Sequence, residues 1–243
     1  MNISVVIPCY NESQKIVDLI ELIHSLTVLS ETYNFNLDFI LVDNGCTDDT
    51  FDKFQIEALI HLSCCQIQTL HISQNIGYGY GVKSGLMNVR DRNVCILPAD
   101  GKYESKDIID SIALFSSTGS RGILVKGMRT NRNDPMIIRI LSFIYTQLVN
   151  FLTGVRMRDV NGLPKIFFNG FSPNEIDLMS NSACLDATLL FLWSRKGGYT
   201  TEFPVKFTQN LEGKASWSGK RTVTTIKMFQ ELVRATLSIR KGL

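Results

Sequence analysis

None of the six cysteines (Cys9, Cys46, Cys64, Cys65, Cys95 and Cys184) stands in a C-x-x-C spacing, which removes zinc ribbons and thioredoxin-like redox motifs. Cys9, Cys64 and Cys95 lie in or beside apolar strand patterns, where thiols usually serve as small buried hydrophobes in a reducing compartment. The three histidines, His24, His61 and His71, fall on helix or strand patterns without metal-ligand spacing and read as structural. Neither sign of charge dominates: 25 Lys and Arg against 23 Asp and Glu leave +2, too little to point to a nucleic-acid partner. No run of about 18 uncharged apolar residues occurs, so no bilayer span is expected. Met1-Asn2 passes directly into Ile3-Ser4-Val5-Val6-Ile7, so no cleaved leader is expected. Repeats, low-complexity tracts and clear domain linkers are lacking as well. The first apolar run ends in Pro8-Cys9-Tyr10-Asn11 and not in Gly-x-Gly, which disfavours a nicotinamide dehydrogenase.

The chain does hold enough apolar material for one large domain, 44% of 243 residues being hydrophobic. Its first half alternates β and α patterns. Strands are predicted over 3–8, 37–43, 66–72, 94–97 and 122–126, with helices over 12–26, 48–60, 81–89 and 106–115. Ile16, Leu19, Ile20 and Ile23 form one helical stripe, and Thr47-Asp48-Asp49 gives the next helix a start signal and favourable charge. Alternation of this kind predicts an α/β fold with a parallel, doubly wound sheet. Residues 127–135 read as a polar, basic loop, followed by a helix over 136–152 that is apolar around much of its circumference. A polar loop over 156–162, strands over 165–168 and 199–207, a helix over 185–195 and an amphipathic run over 222–240 complete the pattern.

The chemistry gathers where strands end. One apolar strand runs through Leu97-Pro98-Ala99 into Asp100-Gly101, and another into Asp43-Asn44-Gly45. Open α/β sheets bind ligands at that carboxyl edge, so two strand-end carboxylates point to a nucleotide site. Asp100 suits a divalent cation bridging a diphosphate, because Mg²⁺ often takes only one or two protein carboxylates beside phosphate oxygens. A hairpin turn is the competing reading, and the helical pattern after it argues against that. Asp43 suits a base N–H or a ribose hydroxyl. Tyr10 stands beside a strand end that can form the floor for a base, whereas Asn11 reads more simply as a cap of the following helix. In Asn75-Ile76-Gly77-Tyr78-Gly79-Tyr80-Gly81 the glycines make either a tight wall beside the nucleotide or a close helix–sheet contact. Arg129, Arg132 and Arg139 abut the apolar helix. Such a pairing fits a surface that attracts an anionic head group while its apolar face meets lipid; packing in the core or in a homodimer is the alternative.

Five ordered segments make the chain resemble glycosyltransferase family two, in its dolichyl-phosphate mannosyltransferase-like branch. They are Val5-Val6-Ile7-Pro8-Cys9-Tyr10-Asn11-Glu12, Leu41-Val42-Asp43-Asn44-Gly45-Cys46-Thr47-Asp48, Asn75-Ile76-Gly77-Tyr78-Gly79, Ala99-Asp100-Gly101, and Arg158-Asp159-Val160-Asn161-Gly162 with Lys165. Weaker likenesses occur at Leu185-Asp186-Ala187, Glu202-Phe203-Pro204-Val205 and Gly213-Lys214-Ala215-Ser216. The resemblance implies a GT-A nucleotide-diphospho-sugar transferase fold, with a mostly parallel central sheet flanked by helices. The catalytic domain is expected over 1–216, as a nucleotide-binding half 1–126 and an acceptor half 127–216, with a C-terminal amphipathic helix over 217–243.

The implied activity is inverting transfer of a hexose from a nucleotide-diphosphate sugar to a polyprenyl or dolichyl phosphate. The implied setting is cytoplasmic, peripheral on the inner face of the membrane, with Mg²⁺ or Mn²⁺ as cofactor. By position, Pro8, Tyr10, Glu12 and Asp43 would hold base and ribose, with Gly77 in the wall beside them. Asp100 would centre the metal and diphosphate site, Arg129 would face phosphate, and Asp159, Asn161 and Lys165 would belong to the acceptor-side loop. Asp100, Arg129, Asp159 and Lys165 are thus the expected catalytic residues. The chain departs from the family at Pro98, where the first Asp of Asp-x-Asp usually stands, and at Lys102, in place of Gln. Lys102 would then supply positive charge beside the diphosphate or mark weakened metal dependence. Asp186-Ala187-Thr188 replaces Asp-Ala-Glu, and Leu211 replaces an Arg. Transfer to a saccharide hydroxyl, which needs a carboxylate base, and nucleotide-sugar binding without catalysis are the alternatives.

Overall fold

Ile3 to Cys9 are buried without interruption because they form the middle of a sheet and meet strands on both sides. In the computed structural model, which describes residues 1–62, 65–100, 103–119, 121–130, 136–206, 230–234, 236, 237 and 239, this strand is β1 (Asn2–Cys9). On one side it pairs in parallel with β2 (Asn36–Asn44), which pairs in parallel with β3 (Gln66–Ile72). On the other side lies β4 (Asn93–Ile96), also parallel. The crossovers are α1 (Ile16–Thr32, after a 3₁₀ turn at Ser13–Lys15), α2 (Thr50–His61) and α3 (Tyr78–Asn88), and α4 (Ser105–Ser117) follows β4. The predicted stripe Ile16, Leu19, Ile20 and Ile23 is the buried face of α1, widened by Leu22 and Leu26.

The second half continues the same sheet. Its elements are β5 (Ile123–Thr130), α5 (Met136–Thr153), β6 (Lys165–Phe168), α6 (Pro173–Leu178), α7 (Leu185–Arg195) and β7 (Tyr199–Lys206). The strand order is β3-β2-β1-β4-β6-β5-β7. β6 runs antiparallel to both neighbours, while β5 and β7 are parallel. The expected mostly parallel sheet is therefore present, with one reversed strand joining its two halves.

Two boundaries differ from the sequence reading. Gly127 to Thr130, expected in a loop, complete β5, because that strand pairs residue for residue with β7 from Ile123↔Tyr199 to Thr130↔Lys206. Arg129 consequently sits on a rigid strand. α3 begins at Tyr78, so the glycine-rich segment supplies its first turn. α5 has a single charge, Arg139, which interrupts the uncharged run; by length and composition the helix is nonetheless long and apolar enough to cross a bilayer. Only Tyr145, Thr146 and Val149 on it are buried. Of the predicted C-terminal helix, residues 230–234, 236, 237 and 239 are helical, and Leu232 and Ile239 are buried. Cys64, Lys102, Arg132, Leu211 and residues 213–216 lie outside the described residues.

α3 packs closely on the sheet through Gly85, where a Cβ would come within 2.3 Å of Val6 Cγ1. The β-branched Val6 has little rotamer freedom to yield. Gly85→Ala is expected to cost about 1–3 kcal/mol by overpacking. Adding Val6→Ala should recover part of that loss, so the double variant is more stable than the sum of the single changes predicts. Urea denaturation of the four proteins checks this, and strict additivity would contradict the contact.

Candidate active site

At the carboxyl edge of the first-half strands, loops are pinned to one another by neutral side chains. Asn11 has φ 52 and does not cap a helix. Its Nδ2 donates to Thr47 Oγ1 (3.1 Å), and its Oδ1 accepts from Thr47 N (2.9 Å), tying the β1 loop to the β2 loop. Glu12 N donates to Thr50 Oγ1 at 2.9 Å, and the Glu12 carboxylate pairs with Lys15. Pro8 is buried in β1, whereas Tyr10 is 44% exposed at the edge.

Parallel register places Cys9, Asp43 and His71 side by side on three strand tips. The buried Asp43 carboxylate accepts from Cys46 N (2.9 Å) and lies 2.6 Å from His71 Nδ1. A carboxylate only accepts, so the proton in that contact sits on Nδ1. The imidazole, 74% exposed, is thereby oriented at the tip of β3. The sequence reading of His71 as an isolated structural residue missed this pair, which becomes visible only from the register of β2 and β3.

Asp100 follows β4, whose ladder extends through Leu97 N to Val6 O (3.0 Å). Asp100 lines a cavity of about 220 Å³ with Tyr78, Pro98, Tyr103, Arg129, Asn161, Leu163, Ala183 and Asp186. Asp100, Arg129 and Asn161 are thus brought together. Pro8, Tyr10, Glu12 and Asp43 form a separate group at the tips of β1 and β2, and none of them is among the residues lining this cavity. The start of α3 connects the two groups. Asn44 Nδ2 donates to Gly77 O (3.0 Å), and Tyr78 is the next residue. Gly77 has φ 136, and a Cβ on Gly79 would fall 2.2 Å from Ser180 O. These glycines admit the 180–182 loop, whose Asn181 O accepts from Tyr80 N. Gly77 and Gly79 therefore serve close backbone approach. Lys83 braces the same loop, with Nζ donating to Asp177 O, Met179 O and Asn181 Oδ1.

The far wall stands on buried ion pairs. Arg129 grips Asp159 with Nε and Nη2, both at 2.8 Å, and its backbone N donates to the same carboxylate at 3.1 Å. Burial alone would raise the pKa of Asp159. The hydrogen bonds and charge of Arg129, then the charge of Lys126, outweigh it and hold the carboxyl well below the usual range. Lys126, fully buried, donates to Gly127 O (2.8 Å) and Asp159 O and pairs with Glu202 at 3.3 Å. Burial, followed by the like charge of Lys165, lowers its pKa to about 8. Glu202 also accepts from the backbone N–H groups of Arg158 and Asp159. Lys165, equally buried, donates to Gly162 O (3.0 Å) and pairs with Asp186 at 2.8 Å. It therefore lies beneath the cavity and holds Asp186; it is not one of the cavity-lining residues.

Among the described residues, no group of three His, Cys, Asp or Glu side chains could hold a metal ion by itself. The oxygen donors that do line the cavity, Asp100 first among them, fit a hard cation that brings its remaining ligands on a diphosphate.

A family model, "Glycosyl transferase family 2", matches residues 4–170. Over 169 residues the chain is 27% identical to dodecaprenyl-phosphate galacturonate synthase of Rhizobium johnstonii, covering 69% of this chain and 48% of that protein. Over 251 residues it is 27% identical to dolichyl-phosphate beta-glucosyltransferase of Saccharomyces cerevisiae, covering 95% of this chain and 73% of that protein. The chain thus spans about half the length of the first relative and nearly three quarters of the second. In fold it is similar to glucosyl-3-phosphoglycerate synthase from Mycobacterium tuberculosis, solved with Mn²⁺, uridine diphosphate and phosphoglyceric acid, at a TM-score of 0.65 and 14% identity. That likeness covers 96% of this chain and 78% of the other.

The titration of Lys126 gives a signed test. Its folded pKa of about 8 lies below the ordinary 10.5, so the folded chain releases this proton first. Below pH 8 both states hold the proton and the cost of burying the charge is complete. Between pH 8 and 10.5 only the unfolded chain holds it, and the group's contribution to stability rises. Relative to Lys126→Met, the wild type is expected to gain roughly 1–3 kcal/mol over that interval in urea denaturation. A stability difference independent of pH would contradict the assignment.

Proposed function

The chain belongs to glycosyl transferase family 2, and from that premise we propose that it moves a hexose from a nucleotide-diphosphate sugar to a polyprenyl or dolichyl phosphate at the cytoplasmic face of a membrane. One observation carries the reading: Asp100, in the turn that follows β4, lines a cavity together with Arg129, whose guanidinium is paired with Asp159. In this reading Asp43 and His71, on the tips of β2 and β3, take the nucleoside, and the cavity takes the sugar.

Cleavage of the sugar–phosphate bond places negative charge on the departing nucleoside diphosphate, and the site must stabilise it. Asp100 would hold a divalent cation there together with the diphosphate, and the cation would supply the positive charge that offsets it. Arg129 adds a fixed positive charge on the cavity wall, its orientation set by Asp159. The acceptor separates the two enzymatic alternatives. A phosphate, with a second pKa of about 6, is largely ionised at neutral pH and needs no strong base, whereas a sugar hydroxyl needs one. Asp159 is locked in a bidentate grip that opposes protonation, and Asp186 is paired with Lys165. This favours a phosphate acceptor over a saccharide hydroxyl.

α5 supports a lipid acceptor. Met136, Ile137, Ile140, Phe143, Ile144 and Phe151 are exposed along it, and the exposed Arg156 and Arg158 follow its end. An apolar row flanked by cations suits a membrane surface bearing anionic head groups.

Two measurements test these points. With a radiolabelled nucleotide sugar and polyprenyl phosphate, label is expected in the organic-extractable fraction, and Asp100→Ala should reduce it by at least about 100-fold, the scale of losing a main electrostatic contact. Label confined to water-soluble glycan would favour the hydroxyl acceptor, and nucleotide binding without turnover would favour a non-catalytic binder. In flotation with anionic liposomes, the wild type is expected to float, and Ile140→Glu with Phe143→Glu to remain in the bottom fraction with an unchanged melting temperature. Equal flotation would count against the lipid-facing role of α5.

A further inference from the structure

Three side-chain oxygens around the Asp100 cavity are buried and lack an aligned hydrogen-bond partner: Tyr78 Oη, Asn161 Oδ1 and Asp186 Oδ1. Asp186 Oδ1 has only the ion-pair contact with Lys165. Buried polar atoms without partners are rare in folded proteins, and Tyr78 Oη and Asn161 Oδ1 on one cavity, with Asp186 Oδ1 beside them, call for a ligand.

Their chemistry narrows that ligand. Asn161 Oδ1 and the Asp186 oxygen that faces Lys165 Nζ are acceptors, so the ligand must bring donors. Tyr78 keeps its O–H, since burial and then the negative charge of Asp186 hold its pKa well above the phenol range. It therefore also offers a donor, which a cation cannot use. A phosphate brings negative charge and acceptors towards Asp100 and Asp186. A polyol matches all three atoms, with hydroxyl hydrogens for Asn161 and Asp186 and a hydroxyl oxygen for Tyr78.

We propose that Tyr78 Oη and Asn161 Oδ1, beside Asp186, bind hydroxyls of the transferred sugar. The inference rests on the nucleotide-sugar reading above and deepens it, because it assigns sugar recognition to the first residue of α3. The phenol is held in place through its backbone neighbours, Gly77 against Asn44 and Gly79 against the 180–182 loop.

The test is isothermal titration of the full chain, with Mn²⁺ present, by UDP, UDP-glucose, GDP and GDP-mannose. Tyr78→Phe keeps the ring and removes only the hydroxyl. Asn161→Leu is nearly isosteric and removes Oδ1. For the nucleotide sugar that the wild type binds, each variant is expected to lose about tenfold in affinity, the scale of one hydrogen bond, while the matching nucleoside diphosphate binds unchanged. Equal losses for nucleoside diphosphate and nucleotide sugar would place these residues on the diphosphate or its cation and overturn the proposal, as would unchanged binding of both. Failure of the wild type to bind any of the four would instead remove the nucleotide-sugar reading, and this proposal with it.

Discussion

The grip of Arg129 on Asp159 fixes the half of the site that lies beyond the central strands. Asp159 begins the loop that carries Asn161 and Leu163 to the cavity, and three donors from Arg129 hold its carboxylate against β5. Lys126 and Glu202 extend the contact beneath the loop by binding its backbone. Gly127 and Gly162 allow the two backbones to meet, since a Cβ on Gly162 would lie 2.0 Å from Gly127 O. Buried ion pairs of this kind add little net stability, because desolvation offsets their attraction. Removing one partner, however, strands a charge in the interior at a cost of about 3–5 kcal/mol. Their effect is to leave the loop one low-energy position, which is what a binding site needs from its walls.

The two halves of the site are built from different interactions. On the β1 and β2 side, neutral hydrogen bonds join loop to loop, Asn11 to Thr47 and Asn44 to Gly77, while the Asp43 carboxylate accepts from Cys46 N–H within its own loop. On the β5 and β6 side, charged groups are paired below the surface. The reversed strand β6 is the structural link. It lies between β4, which leads to Asp100, and β5, which carries Arg129, and it sends Lys165 to Asp186 on α7. A nucleotide half of hydrogen bonds and a reacting half of fixed charges fit the proposed transfer, in which charge develops only at the sugar–phosphate bond.

Much of this was legible in the sequence, and what was not has identifiable causes. Apolar runs ending in Asp43 and Asp100 located both strand tips, since burial on both faces leaves an unbroken hydrophobic signature. The stripe on α1 was equally clear. The polar residues of 127–130 concealed the end of β5, because its pairing partner, β7, lies some seventy residues later and register is not a local property. His71 looked isolated for the same reason. Asn11 suggested a cap, yet its positive φ turns the side chain to Thr47. Lys126 and Lys165 gave no sign of complete burial, which depends on acidic partners far away in the chain. Tyr78 was hidden in a glycine pattern whose meaning is backbone clearance for the 180–182 loop.

The central claim is that the tips of β2 and β3 and the Asp100 cavity, connected through the start of α3, hold one nucleotide sugar. The most direct measurement is a crystal structure of the full chain soaked with Mn²⁺ and the nucleotide sugar that binds it best, with anomalous data collected for the metal. The account predicts the nucleoside against Asp43 and His71, an anomalous peak within coordination distance of an Asp100 oxygen, and the sugar ring inside the cavity of Tyr78, Asn161 and Asp186. A nucleotide bound away from these strand tips, or a metal peak remote from Asp100, would contradict it.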